Sequence, residues 1–202
     1  WLICKKNSYF ITKDLKGTKK IAGIFAMNYN KSARHTIGTN SGFNFVGDGS
    51  YTTDFDFDDN RYSNDLLWGG LGNVTFQLNN NNKISAKTLF NINATDFTSL
   101  RTGIEGNGNQ FFDSTRGYEY GFKQNTFWNS QITGEHNVKP NVLKLKWYGS
   151  FTILDSYTPD QRRLYYLKDN SVPTNPYTAL LSNVLSQKSG NRFYQNLNDY
   201  VY

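Results

Sequence analysis

Four arginines and one tyrosine in the second half of the sequence are the residues best suited to contact a ligand. A guanidinium group forks onto a carboxylate or a phosphate through parallel hydrogen bonds, and a tyrosine ring stacks on a sugar or an apolar group. We therefore predict a ligand-binding role for Arg101, Arg116, Arg162, Arg163 and Tyr165, which lie close in sequence to Tyr118 and Tyr166. One alternative stays open: Arg162 and Arg163 instead form ion pairs with acidic groups on neighbouring strands.

An acidic run offers a second kind of chemistry, because carboxylates are the oxygen ligands that hard cations prefer. Aspartate alternates with phenylalanine from Asp54 to Asp59. The run lacks the glycine and the ligand spacing of a calcium loop, so we favour a solvated loop, although alternating Asp and Phe equally suit a strand. His35 and His136 lie far apart in the sequence and Cys4 is the single cysteine, which excludes a disulfide framework and a multi-cysteine metal site. We predict no metal site and no cofactor.

The arrangements typical of enzymes are missing from the sequence. There is no nucleophile elbow, no pair of catalytic carboxylates, and no phosphate-binding glycine loop, since Gly103, Gly106 and Gly108 do not join a strand to a helix. The net charge is +6, but the basic residues are scattered and form no cluster that suggests nucleic acid. We predict a protein that is not an enzyme and does not bind nucleic acid.

Long β-strands are the elements that must position the arginines, because apolar or small residues recur at every second position. The repeat runs through Leu66, Trp68, Gly70, Gly72, Val74, Phe76 and Leu78, then through Ile84, Ala86, Thr88, Phe90, Ile92 and Ala94, and later through Leu143, Leu145, Trp147, Gly149, Phe151 and Ile153. Strands of roughly 12 to 20 residues exceed the usual length of about 5 to 6. A strand that spans a bilayer needs about 9 to 11 residues.

The predicted connections alternate between short and long. Short turns fall at 13–18, 79–82 and 139–141, whereas long loops rich in Gly, Asn and Asp are expected at 35–63, 97–116 and 159–195, the last with a short helix at 178–185. Outer-membrane barrels combine tight periplasmic turns with extended extracellular loops in this way. We predict that strands near 19–34, 64–78, 83–96, 117–138 and 142–158 pair in sequence order as one antiparallel meander.

Composition limits the fold class further. Hydrophobic residues make up 37% of the chain and aromatic residues 16%, the mean hydropathy is −0.65, and no apolar stretch approaches the length of a membrane-spanning helix. A transmembrane β-barrel stays polar overall because only alternate residues meet lipid, and its aromatic residues form girdles at the interfaces. The chain starts at Trp1 without Met and ends within a strand pattern. We therefore expect residues 1–202 to be part of one barrel domain of a longer protein.

The alternation also predicts which side chains share a face. The convex, lipid-facing set is Trp68, Val74, Phe76, Ile84, Phe90, Ile92, Trp128, Ile132, Leu145, Trp147, Phe151 and Ile153. The concave set is Asn73, Gln77, Lys87, Asn91, Asn125, Gln131, Lys144 and Lys146. A register slip of one residue would invert every one of these side chains.

Three segments resemble one family of membrane proteins. The runs LLWGGLGNVTFQLNNNNKISAKTLFN, RGYEYGFKQNTFWNSQITGEH and YTPDQRRLYYL look like the barrel of TonB-dependent outer-membrane receptors of the Bacteroidetes type. The resemblance implies a barrel of about 22 strands, a plug domain outside these residues, and energy delivered through TonB, which would contact the missing N-terminal part. It transfers no ligand-binding residue.

The implied function is uptake of a small nutrient complex across the outer membrane. The implied partners are the nutrient ligand, TonB, outer-membrane lipid and lipopolysaccharide, the last of which gives basic extracellular residues another partner. The ligand could be a siderophore, cobalamin, an oligosaccharide or a peptide. Two alternatives stay open, an uncoupled porin-like or structural barrel and a soluble β-sandwich that binds carbohydrate.

Overall fold

The computed structural model describes residues 2–14, 19–106, 112–139, 142–181 and 189–202. These residues form the strands β1 (Leu2–Asp14), β2 (Lys20–Phe45), β3 (Tyr51–Asn79), β4 (Asn82–Gly106), β5 (Phe112–Lys139), β6 (Leu143–Lys168), β7 (Thr178–Leu180) and β8 (Asn191–Val201). In this part of the chain there is no helix, and so none long and apolar enough to cross a bilayer.

All eight strands belong to one antiparallel sheet. From β1 to β6 each strand pairs with the next strand in sequence. The sheet is an open up-and-down meander in which β1 has no second neighbour among the described residues. This confirms the predicted all-β meander, and the open sheet is consistent with a fragment of a larger barrel. It is not the pair of stacked sheets that a β-sandwich requires.

The last two strands share one edge of β6. β7 pairs with Tyr165, Tyr166 and Leu167, and β8 pairs with the stretch of β6 between Thr152 and Arg163. Both run antiparallel to β6, so together they occupy the edge that a seventh continuous strand would fill. The helix predicted at 178–185 is wrong at Thr178–Leu180, which is a strand, and residues 182–188 lie outside the described residues.

The strands are longer than predicted. The long loop at 35–63 is wrong except at residues 46–50, and the long loop at 97–116 is wrong at 97–106 and 112–116, while residues 107–111 lie outside the described residues. β2 and β3 stay paired as far as Phe45 and Tyr51, and only residues 46–50 connect them. Gly47 and Gly49 turn the chain there with φ values of 97° and 90°. The loop predicted from 159 is wrong as far as Lys168, since β6 continues to that residue. The Asn, Gly and Asp content suggested loops, but backbone pairing does not require apolar side chains.

A β-bulge in β6 changes which residues share a face. Tyr120 lies opposite Arg162, whereas Gln124 lies opposite Tyr157, so β6 has one more residue than β5 over this interval. The interval contains Pro159, and a proline is tolerated in a sheet at such an irregularity. The pairing with β8 shifts at the same place. After the bulge the even-numbered residues of β6 lie on the face that its odd-numbered residues occupied before it.

The register places the two predicted sets of side chains on opposite faces, because residues directly opposite each other across a ladder share a face. Trp68 pairs with Ile92, and Trp128 pairs with both Phe90 and Ile153. Asn73 pairs with Lys87, and Lys87 with Gln131. We call the first side the apolar face and the second the polar face. That the apolar face is the convex one stays a prediction.

The apolar face is open to its surroundings. Trp68 is 39% exposed, and Trp128 and Trp147 are each 43% exposed. Among the described residues, only Phe57 and Ala94 are buried hydrophobic side chains. The described residues therefore form a single-layer sheet with a broad aromatic surface and no core packed against it. Exposure of such a surface to water is unfavourable.

Candidate ligand-binding site

The five predicted site residues lie in the ends of β4, β5 and β6 that are remote from the short turns. The structure divides them between the two faces of the sheet. Arg101, Arg163 and Tyr165 lie on the polar face, since Gly117 pairs with both Arg101 and Tyr165. Arg116 and Arg162 lie on the apolar face with Tyr118, Tyr120 and Tyr166. Arg162 and Arg163 lie on opposite faces because they are adjacent in a strand, and the bulge in β6 decides which face each one joins.

On the polar face Arg101 is held by two strands. Its Nε and Nη2 each donate a hydrogen bond of 2.7 Å to the carboxylate of Asp59 on β3. Its Nη1 donates to the hydroxyl of Tyr165 on β6 at 3.0 Å. The guanidinium carbon is 5.0 Å from the centre of the Phe57 ring, within the range of a cation–π contact. Arg101 is therefore fixed in position and its charge is matched.

Gly117 makes the contact between Arg101 and Tyr165 possible. It is the β5 residue between them in the same row of the sheet. A Cβ added there would lie 3.0 Å from Cε2 and Cζ of Tyr165. The tyrosine ring covers the glycine, and the arginine reaches over β5 because no side chain stands between. Phe97 covers Gly121 in the same manner on this face.

Arg163 is also matched by a carboxylate. Its Nη2 donates to Oε1 of Glu119 on β5 at 2.9 Å, and the side-chain amide of Gln161 donates to the same oxygen. On the apolar face, Nε of Arg162 donates to Oδ2 of Asp160 at 2.7 Å. The alternative left open by the sequence, an ion pair to an acidic group on a neighbouring strand, is therefore confirmed for Arg163. It is not confirmed for Arg162, because its partner Asp160 lies in the bulge of the same strand.

The titration of the polar-face cluster follows from these contacts. The hydrogen bonds that Arg101 donates to Asp59 raise the pKa of its guanidinium group. Burial raises the pKa of the Tyr165 hydroxyl, and the opposing charge of Arg101 offsets only part of that effect. At neutral pH the guanidinium of Arg101 is therefore charged and the phenol of Tyr165 is protonated.

A cavity of about 780 Å³ lies over this cluster. Its wall includes Phe55, Phe57, Arg61, Arg101 and Tyr165. The Phe55 and Phe57 rings are 5.0 Å apart, and the Arg61 guanidinium carbon lies 3.8 Å from the centre of the Phe97 ring. Within the described ranges no carboxylate is in ion-pair distance of Arg61. Arg61 is therefore the arginine of this cavity that is best placed to meet an anionic group of a ligand.

Sequence reasoning missed Arg61, whose contact with the Phe97 ring joins residues distant in sequence. Asp59 and Glu119 were missed as partners because each meets an arginine distant in sequence. The alternating pattern of positions 54–65 was the signal that could have placed Arg61, since it continues the polar side of β3 upward.

A second cavity, of about 990 Å³, lies on the apolar face. We call it the apolar-face groove and define it by Arg116, Tyr118, Arg162, Tyr166, Tyr177 and Arg192. The Arg116 guanidinium carbon is 4.7 Å from the centre of the Tyr177 ring. The Tyr118 and Tyr166 rings meet edge to face at 6.1 Å. Tyr177 and Arg192 were not predicted from the sequence.

Asp160 connects two strands in this groove. Arg192 of β8 donates through Nε to Oδ1 of Asp160 at 3.0 Å and through Nη2 to Oδ2 at 2.7 Å. Oδ2 also accepts the hydrogen bond from Arg162. Hydrogen bonds from these two guanidinium groups hold the pKa of the Asp160 carboxyl well below its usual range, and the larger effect comes from Arg192. The carboxylate is therefore charged at neutral pH and fastens β8 to β6.

The acidic run is part of β3, and the solvated loop predicted for it is wrong. Its residues alternate between the two faces, so they do not converge on one point. Thr39 Oγ1 donates to Asp58 at 3.5 Å, and Ser41 donates to Asp56. In the described part of the chain no three His, Cys, Asp or Glu side chains are grouped to hold a metal ion.

Both histidines have structural contacts. His35 stacks on Tyr62 at 4.2 Å between ring centres. Trp147 Nε1 donates to Nε2 of His136 at 3.1 Å, and Nδ1 of the same ring lies 2.7 Å from Oδ1 of Asn82. The imidazole of His136 therefore accepts from the indole and donates to the amide.

The chain matches no protein-family model. No curated protein sequence is similar enough to count as a relative.

Proposed function

We propose that this chain is part of an outer-membrane β-barrel receptor that takes up a nutrient complex with energy supplied through TonB. The observation that carries the proposal is the exposed apolar face of a single-layer sheet. Trp68, Trp128 and Trp147 lie on that face together with aliphatic residues of four strands. An apolar surface of this kind is stable in contact with lipid.

The size of the apolar band supports a membrane location. It extends from Leu66 to Leu78 on β3, a length of about 40 Å at roughly 3.4 Å per residue. Barrel strands tilt by about 35–45°, so this band would rise about 30 Å, close to the apolar belt of about 25 Å in outer-membrane barrels. Above the band, the strands continue as polar and aromatic sequence.

The receptor function is supported by the polar-face cavity. It lies at the end of the strands opposite the short turns, which is the extracellular end of an outer-membrane barrel. Arg61 offers an unmatched positive charge, and the rings of Phe55 and Phe57 offer apolar surface. TonB coupling is supported by the resemblance of three sequence segments to TonB-dependent receptors.

The first test is to locate the full-length protein in cells. We expect it in the outer-membrane fraction, with heat-modifiable migration on gels. Recovery in the soluble fraction would contradict the proposal and favour a carbohydrate-binding or other soluble role.

The second test measures uptake of labelled iron chelate, cobalamin, oligosaccharide and peptide in cells with and without TonB. We expect one class to enter only when both this protein and TonB are present. Uptake that needs this protein but not TonB would instead identify an uncoupled, porin-like barrel.

A further inference from the structure

The apolar-face groove lies directly above the apolar band, on the side of the sheet that meets lipid if the proposed function holds. The inference below rests on that proposed location. Tyr157 and Gln124 form the uppermost row of the band, and Arg162 and Tyr120 pair beyond the bulge above it. Arg116 and Tyr166 pair still further up the same face. The groove therefore faces whatever surrounds the barrel just outside the hydrocarbon.

The height of the groove distinguishes one class of lipid from another. Along β5, Arg116 is eight residues beyond Gln124, which is about 26 Å of strand and about 20 Å of height at a tilt near 40°. A phospholipid headgroup layer is only about 5 to 8 Å thick on each side of the hydrocarbon. Only a lipid with a large headgroup of several sugars reaches Arg116.

The charges of the groove favour an anionic headgroup. Arg116, Arg162 and Arg192 line the groove. Two acidic residues, Asp96 and Asp160, line it as well, and Arg162 and Arg192 share the carboxylate of Asp160. An excess of positive charge remains. Arg116 is exposed, and among the described residues no carboxylate lies within ion-pair distance of it. Guanidinium groups with spare donors are the side chains that best bind phosphate.

The rings of the groove favour sugars. The guanidinium carbon of Arg116 lies over the Tyr177 ring, 4.7 Å from its centre. Tyr118 and Tyr166 stand edge to face beside it, and Tyr177 is 39% exposed. Phenol rings offer an apolar surface for the C–H face of a sugar and a hydroxyl for its oxygens.

We infer that the apolar-face groove binds the phosphorylated core sugars of lipopolysaccharide. The phosphates lie against Arg116 and against the Arg162–Asp160–Arg192 cluster, and the sugars lie on the tyrosine rings. The site fixes glycolipid around the barrel and is separate from the cavity on the polar face that would receive a nutrient.

The experiment measures binding of purified rough lipopolysaccharide to the full-length protein in detergent. The comparison ligands are the same lipopolysaccharide after chemical removal of its phosphates, and phosphatidylglycerol. The variants are Arg116→Gln and Tyr177→Ala. The control is Arg34→Gln, which removes an exposed arginine from the polar face, where its partner is Asp65.

We expect Arg116→Gln to weaken binding about tenfold, the effect of losing one charge-assisted contact. Tyr177→Ala should weaken it by a smaller factor, and Arg34→Gln should leave it unchanged. Dephosphorylated lipopolysaccharide should bind at least about tenfold more weakly than the intact form, and phosphatidylglycerol should not compete. Equal binding by Arg116→Gln and the unaltered protein would overturn the inference, as would full competition by phosphatidylglycerol.

The two proposals fail in different ways. An unaltered protein that assembles in the outer membrane but does not bind lipopolysaccharide contradicts only the glycolipid site. A protein that does not reach the outer membrane contradicts both. Protein captured by the groove in place of glycolipid would also overturn the inference.

Discussion

Arg101 donates a hydrogen bond to the hydroxyl of Tyr165 across a strand that has no side chain at the intervening position. The bond joins β4 to β6 over Gly117 and fixes both residues at the wall of the polar-face cavity. Since Asp59 holds the other side of the same guanidinium, one row of the sheet is tied together across four strands.

Gly117→Val should break this row. Its Cβ would lie 3.0 Å from two ring atoms of Tyr165, so the ring must move away from Arg101, at a cost of about 1–3 kcal/mol. We expect a lower temperature for loss of heat-resistant migration on gels. Gly38→Val is the matched control, because a Cβ at Gly38 meets nothing within 4 Å. Equal losses in the two variants would mean that the tyrosine contact contributes nothing.

Asp59→Asn should destabilise the sheet by about 1–3 kcal/mol, because it leaves the half-buried charge of Arg101 without its carboxylate. Adding Arg101→Gln should recover part of that loss. A double-mutant cycle on the free energy of unfolding in guanidinium chloride measures the coupling. Strict additivity of the two substitutions would show that the ion pair is not a stabilising unit.

The attachment of β8 should depend on pH only in strong acid. The folded pKa of Asp160 is depressed, so its stabilising contribution is fully present above the unfolded value of about 3.9. It is lost as the pH falls through the folded value. We expect amide protection of β8, corrected for intrinsic exchange, to be constant from about pH 7 to 5 and to fall in stronger acid. Asp160→Asn should remove this dependence. A fall in protection between about pH 7 and 5 would assign the effect to another group.

Arg61→Gln should reduce capture of the ligand that the uptake test identifies, without loss of assembly. Arg61 lies in the polar-face cavity and contacts the Phe97 ring, and it has no carboxylate partner in the described part of the chain. One charge-assisted contact corresponds to about a tenfold change in affinity. Arg34→Gln is again the control, and equal uptake by the two variants would remove Arg61 from the site.

The sequence pattern predicted the lower part of the sheet well because one local rule determines it. Alternation around Trp147 and Lys146 places neighbours on opposite faces, and the turn at 79–82 joins β3 to β4 as expected. The upper parts of the strands were not predicted. His35 and Tyr62 stack across the ladder, and strand formation there depends on the partner strand more than on local hydrophobicity.

For the candidate site, the sequence predicted which types of residue take part but not which residues contact each other. Arg101 and Asp59 are 42 positions apart, so their pairing follows from the register and not from any local motif. The face that Arg162 and Arg163 each join depends on the bulge, and Pro159 was the one sign of the bulge in the sequence. A proline in a strand pattern could therefore have warned that the parity of β6 changes there.

The lipid contact of the apolar face can be tested by substitution at two adjacent positions. Trp147→Arg should impair assembly, because arginine at mid-bilayer on the lipid face costs about 2–4 kcal/mol. Lys146→Ala should assemble normally, since Lys144 still contacts Glu135, at 3.2 Å. The measurement compares how much of each variant in isolated outer membranes shows heat-modifiable migration on gels. Normal assembly of Trp147→Arg would argue against lipid contact at this residue.

Contact between the apolar face and lipid is tested most directly by the collisional accessibility of nitroxide labels at positions 146 and 147. The labels are placed on Lys146→Cys and Trp147→Cys, in a Cys4→Ser background of the full-length protein reconstituted in lipid. We expect the label at 147 to collide with oxygen dissolved in the bilayer, and the label at 146 to collide with a water-soluble nickel chelate. Two labels that both collide with the nickel chelate, or a reversed pair, would contradict lipid contact on the apolar face.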